Sequence, residues 1–174
     1  ETAVRWSQVF KNKNGEEKLG YKLNIFYLRA DDWVADNLSP ATDSRNDQKN
    51  PGGYDAVNLY GDEYYATSDF SKQPKDNPGL ITFYRTGYKE TELVDYNTRN
   101  LKLSAALHYK IRENNEVILA SNFGTGTTVY QGDNRYSLKD ILFFQHRIEY
   151  SQQDKFFIRA YTTSEDAGKS YDAF

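Results

Sequence analysis

The sequence predicts an all-β chain, an antiparallel meander of amphipathic strands. The first observation behind this is alternation. Leu101, Leu103, Ala105, Leu107, Tyr109 and Ile111 share one parity; Lys102, Ser104, Ala106, His108, Lys110 and Arg112 share the other. Successive side chains of a strand point to opposite faces, so this ribbon has a greasy side and a wet side. The second is composition. Aromatic residues make up 16% of the 174 positions, with 15 Tyr and 10 Phe, types that favour strands and membrane interfaces. The third is punctuation: turn signals separate the alternating runs at intervals that read short, long, short, medium, short.

Taken in order, Ala3 to Phe10 reads as a strand with Val4, Trp6 and Phe10 on one parity and Gln8 spoiling that face. The polar run from Lys11 to Lys18 carries Asn14-Gly15, a hairpin signal. Leu19 to Asp32 is the second strand, with Tyr21, Leu23, Ile25 and Tyr27 on its apolar parity. Trp33 to about Thr98 holds all four prolines, the Gly52-Gly53 pair and many Asp and Asn residues, and reads as one long irregular loop. The strand from Leu101 to Arg112 follows. After a tight turn at Glu113, Asn114 and Asn115 comes a strand from Glu116 to about Val129, with Val117, Leu119 and Phe123 on the apolar parity. Tyr130 to Lys139 reads as a mid-length loop. Asp140 to Tyr150 is a strand with Leu142, Phe144, Ile148 and Tyr150 on one parity, where His146 is a flaw. Ser151 to Asp154 turns, and Lys155 to Thr163 is a sixth strand of ambiguous facing.

Composition narrows the class. Hydrophobic residues reach only 38%, thin for a two-sided core. No apolar run approaches the 18 or so residues of a membrane helix, whereas an alternating strand needs only about ten to cross a bilayer. The absence of Cys excludes a disulfide framework and a thiolate metal site. A formal charge of -3 gives no electrostatic case for nucleic acid. Short turns on one side and long loops on the other suit a membrane β-barrel, greasy outside and wet inside. A soluble sandwich or jelly roll also has alternating strands, so on pattern alone both architectures stand.

Several phrases carry a resemblance. RTGYKETELVDYNT, Arg85 to Thr98, leads into LKLSAALHY, Leu101 to Tyr109. GTGTTVYQGDNRY, Gly124 to Tyr136, runs into SLKDI, Ser137 to Ile141. Upstream stand GYK from Gly20, DDW from Asp31 and GYDAVNLYGDE from Gly53. In this order they resemble the early barrel of a TonB-dependent outer-membrane receptor of the Bacteroidetes type, from about Val4 to Thr163. The resemblance implies a barrel of the 22-stranded type enclosing an N-terminal plug, in the outer membrane of a Gram-negative cell. It implies active uptake of a scarce ligand such as a siderophore, oligosaccharide or peptide. Its partners would be the lipid bilayer, the remaining barrel and plug, TonB through an N-terminal region, and a surface lipoprotein over the mouth. The chain departs from that plan in length, so the expectation is a fragment: about six strands and one long extracellular loop. Two competing functions are a surface-anchored or soluble β-sandwich that binds glycans, and a structural outer-membrane barrel subunit.

The candidate residues follow. Leu101, Leu103, Leu107 and Ile111 are expected to face lipid. Trp6, Tyr21, Tyr27, Trp33, Tyr109 and Tyr150 are expected to form the interfacial girdle, apolar body in lipid and polar tip in water. Tyr54, Tyr60, Tyr64, Tyr65 and Tyr84 fall in the long loop, where they would stack on a ligand or pack the loop against itself. Asp31, Asp32 and Asp36 around Trp33, and Asp43, Asp47 and Asp55 beyond, are the acids that would serve Ca²⁺, although no EF-hand spacing is present and loop acids are ordinarily just solvated. His108 and His146 are the only imidazoles. His108 shares its parity with Lys102 and Lys110, which disfavour a cation there. The glycines of Gly124 to Thr128 lack the Lys-Ser/Thr ending of a phosphate loop and read as strand glycines packed closely by a neighbour. No Ser sits in a motif that would activate it, so no enzymatic activity is expected.

Overall fold

The computed structural model describes residues 1–50, 52–61, 64–72, 79–131 and 135–173. The strands are β1 (Thr2–Lys11), β2 (Glu17–Asp31), β3 (Leu59–Tyr60), β4 (Tyr64–Asp69), β5 (Leu80–Arg85), β6 (Tyr88–Lys89), β7 (Asn97–Arg112), β8 (Asn115–Gln131), β9 (Arg135–Gln152), β10 (Phe156–Asp166) and β11 (Tyr171–Asp172). A single helical turn, α1 (Glu90–Leu93), follows β6. The chain divides into two units.

The first unit comprises Glu1–Asp32, Asn97–Thr128 and Leu138–Tyr171. Its long strands lie side by side in the antiparallel order β1-β2-β7-β8-β9-β10, and the sheet does not close. The short β11 adds to β9. Cross-strand rows follow from the register: Trp6 lies opposite Leu23, Leu23 opposite Ala105, and Ala105 opposite Ser121. The first hairpin closes as its Asn-Gly signal predicts. Gly15 sits at φ 83, and the Asn12 side-chain oxygen accepts the amides of Asn14 and Glu16 at 2.9 and 3.0 Å.

The strands are longer than the alternation predicts. β7 begins at Asn97 rather than Leu101, and most of the expected loop from Tyr130 to Lys139 is strand, with residues 132–134 outside those described. Asp140, inside β9, takes φ 54, a left-handed conformation uncommon for a residue other than glycine. Its amide turns to the Thr127 hydroxyl at 3.2 Å. Gly168 packs against this bend at φ 63, so close that an added Cβ would lie 2.4 Å from the Asp140 carbonyl oxygen.

The second unit comprises Trp33–Tyr96, Val129–Ser137 and Asp172–Phe174, its last residue outside those described. The long segment is not the irregular loop that its prolines and glycines predict. β3 pairs with β6, β4 with β5, and Tyr54, Ala56 and Leu59 form a small core with Leu38 packed against it. Apart from Ile118, the buried apolar residues among those described all belong to this unit. The large sheet therefore has almost no core of its own.

Candidate functional site

The feature of the first unit with functional content is the polarity of its two faces. One face carries Val4, Trp6 and Phe10 from β1, Leu23, Ile25 and Tyr27 from β2, and Leu101, Leu103 and Leu107 from β7, by register; Ile111 sits at the irregularity between Lys110 and Arg112 and is exposed. Leu119 and Phe123 continue it on β8; Phe144 joins through ring contact with Phe123 at 5.0 Å, followed by Ile148 and then Ile158. These side chains are not packed away: Leu107 is 41% exposed, Ile148 52% and Ile158 65%. Leu101 is half-buried.

The opposite face is wetter in composition yet less exposed along the central strands. Ser104, Ala106 and His108 are half-buried while Leu103, Leu107 and Tyr109 between them are exposed. The polar side is knitted by cross-strand pairs. His108 Nδ1 lies 2.9 Å from Glu116 Oε1, Asn122 donates to Gln145 at 3.2 Å, and Arg159 donates to Glu149 at 2.7 Å. The carboxylate at His108 was not foreseen from its own strand, because it arrives from β8. Among strand glycines, Gly126 packs as expected: a Cβ there would lie 3.3 Å from the Arg99 carbonyl oxygen.

Both apparent flaws of the apolar face are satisfied on that face. The Tyr21 hydroxyl donates to Gln8 Oε1 at 3.2 Å, and Ser121 Oγ lies 3.0 Å from His146 Nδ1. A buried or lipid-facing polar group without a partner costs free energy, and pairing removes most of that cost. Sequence spacing could not show this, because the partners lie on different strands.

The register also places each aromatic residue in a cross-strand row. Tyr27 lies opposite Leu101, near the end of the long connections. Tyr109 lies opposite Leu19 near the short turns, and Tyr150 is at that same end, accepting from Asn115 at 2.7 Å. Phe10 against Tyr21 and Tyr150 against Phe156 pack at 6.0 Å each. From Leu101 to Tyr109 the strand rises roughly 27 Å, which a tilt of about 45° reduces to about 19 Å. Trp6 lies in the row of Ala105, midway between the Tyr27 and Tyr109 rows, and is 63% exposed there. Trp33 is the first residue of the second unit and is exposed.

Within the second unit the loop tyrosines separate. Tyr54 and Tyr60 are only 7% and 8% exposed. The Tyr54 hydroxyl donates to the Leu38 carbonyl at 2.6 Å, and Tyr60 accepts from Asn58 at 2.8 Å. They build the unit's interior and are not presented to a ligand. Tyr84 is exposed. The side chains of Tyr64 and Tyr65 lie outside those described.

At the centre of this unit Glu90 is wholly buried. Arg135 grips it bidentately, Nε to Oε2 at 2.9 Å and Nη2 to Oε1 at 2.8 Å, and the Tyr96 hydroxyl donates to Oε1 at 3.0 Å. Burial, then the bond to Glu90, pushes the Tyr96 hydroxyl up to about 12. Two charges far apart in sequence meet here, and nothing in the local pattern around either announces the pair.

Among the described residues no group of three or more Asp, Glu or His side chains converges as a cation site. Asp36, Asp43 and Asp47 are exposed, and Asp32 accepts from Thr128 at 3.2 Å. Asp55 is held above the usual carboxylate range by burial and, to a lesser extent, by Asp43. Comparison with protein-family models, with curated proteins and with solved structures returns no match.

Proposed function

We propose that this chain is barrel wall and external structure of an outer-membrane receptor of the TonB-dependent type, serving uptake of a scarce ligand. One observation supports this above the rest: the apolar face of the large sheet is the exposed one. In a sandwich the apolar face would be covered by a second layer, and within this unit none is present among the described residues. A barrel wall presents its apolar face to lipid and its polar face to enclosed water, which suits this division of the two faces. The unpaired edges β1 and β10 call for further strands, because open edges are not tolerated in a bilayer. Those strands, a plug and the TonB-contacting region would come from the rest of the same receptor, and a surface lipoprotein could cover its mouth. The chain's own role is passive: wall, lining and external unit, with no bond made or broken.

Fractionating the native cells tests this. The full polypeptide is expected in the outer membrane, monodisperse only in detergent, and migrating differently on gels before and after boiling. A native protein that stays monodisperse in plain buffer would sink the proposal and favour the glycan-binding sandwich. Unchanged uptake of every tested ligand after deletion of the locus would leave a structural barrel subunit instead.

A further inference from the structure

Towards the long connections, the apolar face of the large sheet ends in two arginines that no role given above uses. Arg29 on β2 lies directly opposite Arg99 on β7, one row beyond Tyr27 and Leu101. Alternation and an unbroken register put both side chains on the face of Ile25, Tyr27, Leu101 and Leu103. We propose that this pair is a binding site for the phosphate of a lipid headgroup. The proposal deepens the receptor reading, on which it rests for lipid against this face.

Like charges directly opposite one another on a strand pair repel, and an anion between them removes the repulsion. Both arginines are exposed. Neither has an ion pair or a side-chain hydrogen bond among the described residues. Asp31 shares their face, but it stands one row further from the apolar belt, opposite Asn97, and pairs with neither. Across β7, Arg99 lies opposite Thr127, whose hydroxyl accepts the Asp140 amide at 3.2 Å. Asp140 itself has the Lys169 ammonium 4.0 Å away. In the adjoining row the Tyr27 hydroxyl also has no hydrogen bond among the described residues.

The surroundings select the ligand. A guanidinium holds phosphate oxygens in a two-pronged fork, and two guanidiniums match the charge of a phosphomonoester, about -1.5 to -2 at neutral pH. On one side of the pair lies the exposed apolar belt, and on the other Asp31 and Asn97. A soluble anion leaves the belt in water. An uncharged lipid leaves the two cations facing each other. A phosphorylated amphiphile satisfies both, with its chains along Ile25 and Leu103 and its head at the arginines. Nucleic acid calls for a longer run of cations, and Asp31 interrupts this one.

The test titrates the full native receptor, held in detergent, with phosphatidic acid, phosphatidylcholine and inorganic phosphate, and reads bound molecules by native mass spectrometry. Phosphatidic acid is expected to bind about tenfold more tightly than phosphatidylcholine. Changing Arg29→Gln and Arg99→Gln together is expected to abolish that preference, and either alone to reduce it about threefold. Lys102→Gln removes a cation from the opposite face near the same end of β7 and is expected to leave the preference intact. Boiling-dependent gel migration shows whether each variant is folded. Equal binding of the two lipids overturns the site, as does an equal loss in Lys102→Gln. Inorganic phosphate bound as tightly as phosphatidic acid overturns the lipid assignment. The receptor reading stands or falls separately: an outer-membrane protein with no headgroup preference ends the site and keeps the barrel, while a protein monodisperse in plain buffer ends the barrel and, with it, the lipid that the site requires.

Discussion

Glu90 and Arg135 form a fully buried, two-pronged ion pair joining positions 45 residues apart. It draws the turn after β6 and the start of β9 into one unit. Removing one partner leaves a charge buried without compensation, so Arg135→Ala is expected to destabilise this unit by about 3–5 kcal/mol. Replacing both residues with apolar ones of similar size is expected to cost far less. Limited proteolysis of the 33–96 segment reads the difference: rapid cleavage in the single variant, near-native resistance in the double.

Tyr96 should give the same unit an alkaline limit. Its folded-state value of about 12 lies above the ordinary 10.0. Its contribution to stability is fully present below about pH 10, falls as the unfolded chain begins to deprotonate, and is lost by about pH 12. An ultraviolet pH titration of wild type minus Tyr96→Phe should isolate one phenol ionising late. A difference curve centred near pH 10 would contradict the assigned environment.

The two faces of β7 should respond oppositely to charge. Ala105→Arg places a cation on the apolar face in the row of Trp6. At the bilayer midplane that costs about 2–4 kcal/mol, and the folded fraction recovered from outer membranes should drop. Ser104→Arg, one residue away on the wet face, should assemble normally. Equal tolerance of both changes would count against lipid on the apolar side.

Gly168→Ala should be costly for a residue on the surface. The backbone conformation disfavours a side chain, and the added carbon would lie against the Asp140 and Lys139 carbonyl oxygens. The displacement would strain the neighbouring hydrogen bond that the Lys169 amide donates to the Lys139 carbonyl at 2.8 Å. A destabilisation above about 1 kcal/mol is expected, with faster hydrogen exchange at the Lys169 amide.

The strands were legible because period-two alternation is a local signal, and Leu101 to Ile111 displays it without interruption. Their ends were less so. The second unit escaped the sequence almost entirely. β3 and β6 have two residues each, too few for any period, and the unit's buried contacts join distant positions such as Glu90 and Arg135. Cross-strand rows were equally hidden: only pairing sets Trp6 beside Leu23 and Ala105. Gln8 and His146 look like errors until Tyr21 and Ser121 arrive from adjacent strands.

The unpaired flanks of β1 and β10 have a practical consequence. Each presents a row of amide and carbonyl groups with no neighbour, over ten and eleven residues respectively. Produced alone, this polypeptide should polymerise flank to flank, its growth poisoned by a short synthetic peptide that caps either side. Co-expression with a segment that pairs with either flank should suppress that growth.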